Sequence, residues 1–168
     1  PVFSTYFNFY TQLTRYISTS KFRCYNLAIM DKSNHSNVLI IGGGCAGVSV
    51  ASRINSLKSS LTISIIEPSE KSLYQAAWTL VGAGAYNVEN TIKPMADVMP
   101  SYVNWIKDFA EEFTPESNSV KTKNGNYTYD YLVVCPGLKL NYNGVAGVKE
   151  NLGKNNVCTN YSAEMATY

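Results

Sequence analysis

Six consecutive residues, Gly42-Gly43-Gly44-Cys45-Ala46-Gly47, satisfy the pattern G-x-G-x-x-G, and an acid, Glu67, follows 20 residues after the last of them. Those residue types at that spacing can hold a dinucleotide. Gly42 permits a tight turn off a strand, Gly44 lets backbone approach a diphosphate, and Gly47 lets a helix pack close to that strand. Cys45 and Ala46 open the helix, whose free N–H groups and positive dipole end would face the diphosphate. Glu67 can accept hydrogen bonds from the ribose hydroxyls of an adenosine, and its charge disfavours the 2′-phosphate of NADP. NAD and FAD share this unit, so the unit alone leaves the choice between them open.

The flanking sequence supplies the elements that must position these groups. Residues 37–41, Asn-Val-Leu-Ile-Ile, read as a parallel strand buried on both faces. Val48, Ala51, Ile54 and Leu57 then recur at helical spacing, with Arg53 and Lys58 on the other side. Residues 61–66 predict a second strand, ending at Glu67. After Glu67-Pro68-Ser69 the regular alternation stops. A stretch rich in Gly and aromatic residues runs to about Tyr86, residues 87–99 are expected to be partly helical, and residues 103–113 contain a strand. Residues 119–122 and 127–130 predict the arms of a hairpin about Asn124-Gly125. Residues 131–135 read as a buried strand ending at Pro136-Gly137. A simple NAD-binding domain would continue with βα repeats instead. A β-hairpin inserted in the Rossmann topology, followed by a strand returning to the nucleotide, is the layout of two-dinucleotide flavoproteins. The expected fold is therefore α/β: a Rossmann-like FAD/NAD(P)-binding fold with an inserted β-hairpin, truncated.

Composition narrows the function classes. The chain has 168 residues, 45% hydrophobic and 15% charged, with a net charge of +2, which fits one globular domain or slightly more. A sequence pI near 8.4 and the lack of a dense Lys/Arg patch argue against a nucleic-acid binder. The longest apolar run, residues 38–51, is too short for a membrane-spanning helix. Cys24, Cys45, Cys135 and Cys158 include no CxxC pair and His35 is the single histidine, so no metal site is expected. The three N-x-S/T sequons, at Asn34, Asn126 and Asn160, are expected to be incidental in so Asn-rich a chain.

The first thirty residues stand apart. They hold no Asp or Glu, are frequent in Ser and Thr, and carry Arg15, Lys21 and Arg23. That is the composition of an organelle transit segment, drawn towards a negative-inside membrane potential. The competing reading is translated upstream sequence or an irregular arm. Residues 1–36 are accordingly set apart as a transit segment, and residues 37–168 as an FAD-binding domain incomplete at its C-terminus.

Residues 129–137, Tyr-Asp-Tyr-Leu-Val-Val-Cys-Pro-Gly, resemble the second signature of the two-dinucleotide flavoproteins, a Tyr-Asp-x-Leu-Val strand ending in Ala-Thr-Gly. Cys135-Pro136 departs from it, losing a hydroxyl but keeping Gly137. Within that group the sequence resembles the mitochondrial type of sulfide:quinone oxidoreductase. Ile66-Glu67-Pro68-Ser69-Glu70, Leu73-Tyr74-Gln75, Val103-Asn104-Trp105-Ile106-Lys107 and Trp78-Thr-Leu-Val-Gly-Ala-Gly84 carry the resemblance. It covers about residues 37–168.

The resemblance implies FAD as the cofactor. Gly42, Gly44, Cys45, Ala46 and Gly47 would contact its diphosphate through backbone, Glu67 would hold the adenosine ribose, and Gly137 would close the returning strand. Gln75 matches a position that hydrogen-bonds the cofactor, and Ala110 one whose main chain faces the adenine; an ordinary surface amide and a plain strand residue are the alternatives. It also implies that hydrogen sulfide attacks a disulfide between two redox cysteines, and that the persulfide passes electrons through flavin to ubiquinone. That cysteine pair is expected beyond residue 168. Cys158 matches a third cysteine of bacterial relatives and is a weak redox candidate. Cys45 reads as a small loop residue and Cys135 as a small hydrophobe on a buried strand. Peripheral association with the mitochondrial inner membrane, through elements outside this chain, is also implied. Two other readings stay open: a type II NADH dehydrogenase-like or other two-dinucleotide flavoprotein, and a non-catalytic dinucleotide-binding module.

Overall fold

The computed structural model describes residues 34–168; the cationic N-terminal segment and Cys24 lie outside the described residues. β1 (His35–Ile41) leads through a glycine turn into α1 (Cys45–Leu57), and the chain returns as β2 (Ile63–Ile66). A small ribbon follows, made of β3 (Lys71–Leu73) and β4 (Ile92–Pro94), with α2 (Trp78–Gly82) between them and α3 (Met95–Val98) after them. β5 (Val103–Ile106), β6 (Ala110–Thr114), β7 (Ser119–Thr122) and β8 (Asn126–Val134) complete the main sheet. A short α4 (Val148–Asn151) lies in the C-terminal segment.

The sheet has six strands in the order β5-β2-β1-β8-β7-β6. β5, β2, β1 and β8 run parallel, whereas β7 is antiparallel to both β8 and β6. β1 lies centrally and is apolar on both faces, as a covered parallel strand must be. Val38 and Ile40 pack with Ile63, Ile65 and Ala51 of α1; Leu39 and Ile41 pack on the opposite face with Ile66, Ile106, Val120 and Tyr129. Ile40 and Ile65 are fully inaccessible, so truncating either to Ala would remove about 2–5 kcal/mol.

The register places the ligand-facing edge. Ile41 pairs with Ile66 on one side and Val134 on the other, and Ile66 pairs with Ile106. The next residues along the carboxyl edge are therefore Gly42, Glu67, Cys135 and Lys107. Open α/β sheets bind ligands at that edge.

Several boundaries differ from the sequence-based expectations. β1 begins at His35 rather than Asn37. The Asn37 side chain ties β1 to the entry of β2 and to β8 there: its Oδ1 accepts from the Thr62 N–H at 3.0 Å, and its Nδ2 donates to Asp130 at 2.7 Å. α1 already begins at Cys45, three residues ahead of its first periodic apolar residue. Residues 103–113 hold two strands. The arm 127–130 and the strand 131–135 are one strand, β8, antiparallel to β7 at its start and parallel to β1 beyond. No Gly or Pro interrupts it.

The full burial expected for residues 131–135 does not hold. Leu132 and Val133 pack into the two core clusters, but Tyr131 is 40% and Val134 53% exposed. α1 covers β1 and β2, and among the described residues no element lies over those two side chains. Cys135, expected on a buried strand, lies just past β8 and is only half-buried.

Candidate functional site

The turn from β1 into α1 depends on glycine at close approaches, two of them, at Gly42 and Gly47, to backbone. Gly42 has φ +98°, and a Cβ there would lie 2.1 Å from the Cys135 carbonyl oxygen. Its N–H donates to the Ile66 carbonyl at 2.9 Å, while the Cys135 N–H donates to the Ile41 carbonyl at 2.8 Å. A Cβ on Gly47 would lie 1.9 Å from the Gly42 carbonyl oxygen and 3.3 Å from Ile40. β1, β8 and α1 thus meet backbone to backbone. Gly44 differs: a Cβ there meets nothing within 4 Å, and Gly44, Cys45 and Ala46 are exposed. Gly44 is the N-cap of α1, with no side-chain cap and no acid in the first turn. The helix therefore opens on unpartnered N–H groups with clear space before them, which fits a diphosphate.

Glu67 is fixed from four directions. Its Oε2 accepts from the Gly43 N–H at 2.8 Å and its Oε1 from the Ser69 N–H at 2.7 Å. Its N–H donates to the Ile106 carbonyl at 3.0 Å, and its carbonyl accepts from Trp105 Nε1 at 2.8 Å. An ionised carboxylate offers about four acceptor positions, so two backbone donors leave capacity for ribose hydroxyls. The carboxylate is held against the glycine turn, as a group contacting one end of a dinucleotide must be.

The loop after β5 extends this edge. The Ile106 carbonyl also accepts from the Asp108 N–H at 2.9 Å. Asp108 is buried, with its carboxylate oxygens on the N–H groups of Phe109 (2.8 Å) and Asn124 (2.9 Å). The Thr122 hydroxyl, followed by the backbone donors of Asn124 and Phe109, holds the carboxyl below the ordinary aspartate value despite the opposing effect of burial. Asp108 thereby pins the β7–β8 turn to the loop that carries Ala110. Ala110 begins β6, opposite Thr122, and packs against the core. Sequence reasoning missed Asp108 and the hydrogen bond that the Trp105 indole makes; an Asp two residues past an apolar strand was the available turn signal.

Beside the first turn of α1 lies a cavity of about 360 Å³. Cys45, Val48 and Ser49 line one side, and residues of β3, β4 and the short helix before β4 line the other. Its floor is rigid: Thr91, 2% exposed, accepts from Trp78 Nε1 at 3.0 Å and donates to the Val88 carbonyl at 2.6 Å.

The remaining candidates are more dispersed. Gln75 is exposed, and its Nε2 donates to the Asn160 carbonyl at 3.3 Å. Gly137 has φ +79° and open space around it. Neither hydrogen-bonds to the glycine turn. Cys45, Cys135 and Cys158 are free thiols, Cys45 and Cys158 being exposed. Trp78 is core, and Trp105 is half-buried under the Lys107 ammonium, 4.4 Å from the ring centroid. Among the described residues no helix is long and apolar enough to cross a membrane.

Comparison with known proteins agrees with this geometry. A family model described as pyridine nucleotide-disulphide oxidoreductase matches residues 36–164. The mitochondrial sulfide:quinone oxidoreductase of Dictyostelium discoideum is 47% identical over 131 residues, covering 77% of this chain and 29% of that protein. The Mus musculus protein of the same name is 36% identical over 132 residues, covering 78% of this chain and 29% of its own length. The crystal structure of the sulfide:quinone oxidoreductase from Aquifex aeolicus superposes with a TM-score of 0.65 at 30% identity, covering 80% of this chain and 30% of that one. The chain thus spans under a third of the length of these relatives.

Proposed function

The chain belongs to the pyridine nucleotide-disulphide oxidoreductase family, and from that premise we propose that it is the N-terminal, FAD-binding portion of a mitochondrial sulfide:quinone oxidoreductase. The observation that carries the reading is the carboxyl edge of the parallel strands. There the open, exposed Gly44 at the start of α1 and the fixed carboxylate of Glu67 lie on either side of the Gly43 N–H. In this reading the α1 N–H groups would hold the diphosphate and Glu67 the adenosine ribose, the main chain at Ala110 would face the adenine, and Gln75 and Gly137 would add further cofactor contacts.

Bound FAD would supply a two-electron carrier between hydrogen sulfide and ubiquinone. The mitochondrial names of the two curated relatives support a mitochondrial location, with the N-terminal segment (residues 1–36), whose first thirty residues hold no Asp or Glu, as the address. Peripheral attachment to the inner membrane, and the redox cysteine pair, belong to parts of the protein beyond this chain.

The test is quinone reduction by the whole protein with two competing donors. Sulfide is expected to drive it and NADH to be inert. Reduction driven by NADH with sulfide inert would overturn the proposal in favour of a type II NADH dehydrogenase-like enzyme. The chain of residues 1–168 alone is expected to catalyse neither reaction.

A further inference from the structure

We propose that Lys93 is the counter-charge for the cofactor's diphosphate, an inference that rests on the FAD reading above. The cavity beside the first turn of α1 has Cys45, Val48 and Ser49 on one wall and Ser72, Thr91 and Lys93 on the other. Its lining contains no Asp or Glu, and Lys93 is its single cation. Among the described residues Lys93, like every lysine but Lys107 and Lys121, has no acidic partner within salt-bridge distance; what sets it apart is its place in the cavity lining.

The charge balance of the site calls for such a group. The glycine turn offers N–H donors but no full positive charge, and Glu67 contributes a negative one on the Gly43 N–H. A diphosphate brings about two further negative charges into the same region. A lysine ammonium is a compact point charge suited to phosphate. The backbone holding it is also fixed on both sides. The Tyr74 N–H donates to the Thr91 carbonyl and the Met95 N–H to the Glu70 carbonyl, each at 2.8 Å, and Lys93 itself pairs with Ser72 across the ribbon. Lys93 thus stands on a fixed stretch of backbone and lines the same cavity as Cys45 at the start of α1. Because its side chain is exposed and makes no hydrogen bond or ion pair among the described residues, its truncation leaves the ligand-free fold intact.

The test compares the full chain with K93A and K93R by calorimetric titration of FAD and ADP over a salt series, alongside the melting temperature of the ligand-free proteins. K93A is expected to weaken both ligands about tenfold, the scale of one charge-assisted contact, and to flatten the salt dependence of binding. K93R restores both, and the ligand-free melting temperatures coincide. Unchanged affinity and salt dependence in K93A would overturn the assignment of Lys93, as would a lowered ligand-free melting temperature accounting for the loss. If the unsubstituted chain binds neither FAD nor ADP, the cofactor reading itself falls.

Discussion

Replacing Gly44 and Gly47 separately by alanine should divide cofactor binding from folding. At Gly44, φ is −71° and ψ −172°, which any residue adopts, and the added Cβ meets nothing within 4 Å. Alanine is a poorer N-cap than glycine by roughly 0.5–1 kcal/mol. Stiffening the unfolded chain returns about 0.4–1 kcal/mol. The two nearly cancel, so the Gly44→Ala protein should unfold within about 0.5 kcal/mol of the unsubstituted chain. Its Cβ stands where the diphosphate must approach. Losing one charge-assisted hydrogen bond, about 1.5–3 kcal/mol, weakens FAD roughly 10- to 150-fold. Gly47→Ala reverses the pattern. Its Cβ would sit 1.9 Å from the Gly42 carbonyl oxygen, so α1 must move off β1. Overpacking of that severity costs about 3 kcal/mol or more, against about 1 kcal/mol of improved helix propensity. The net loss of about 2 kcal/mol lowers the melting temperature by roughly 8 °C. Calorimetric titration with FAD and denaturant unfolding read the two effects independently. A Gly44→Ala chain that binds FAD at full strength, or a Gly47→Ala chain as stable as the original, would refute this reading of the turn.

Glu67→Gln keeps one acceptor oxygen but turns an amide N–H₂ towards a backbone donor at Gly43 or Ser69; FAD and ADP should each bind about tenfold more weakly, as fluorescence titration would reveal. Asp108 is held below its ordinary value, so its stabilising effect is present above about pH 3.9 and is lost as pH falls through the lower folded value. Asp108→Asn should therefore be less stable at neutral pH, with the gap closing in acid; a gap of the same size across a pH series of denaturant curves would contradict that. Thr91→Val removes the acceptor for the buried Trp78 indole and should lower unfolding free energy by about 1–3 kcal/mol, with a shift of Trp fluorescence.

The parts of the site that lie close together in sequence were legible from it. The glycine turn, the start of α1 and Glu67 fall within one βαβ unit, where strand, turn and helix each leave a local pattern. The apolar runs of β1 and β2 likewise reported strands covered on both faces. What escaped was made by long-range pairing. Trp105 reaches the Glu67 carbonyl across 38 residues, and Asp108 reaches Asn124 across 16; no periodicity encodes either contact. β8 was divided in two because its first residues face β7 and its last face β1, a change of partner without a turn. Its exposed Tyr131 and Val134 show the limit of reading burial from an apolar run, since composition cannot say whether anything covers a strand. Nothing in the local sequence marks Lys93; the pairing of β3 with β4 brings it into the same cavity as Cys45.

The most direct measurement is the absorption spectrum of the purified chain between 350 and 500 nm after loading with FAD and removal of free cofactor. A retained flavin spectrum, diminished by Gly44→Ala in line with an affinity lower by about 10- to 150-fold, is the predicted result. Colourless protein that binds NAD with the same dependence on Gly44 would contradict it, because the glycine turn and Glu67 would then serve a different dinucleotide.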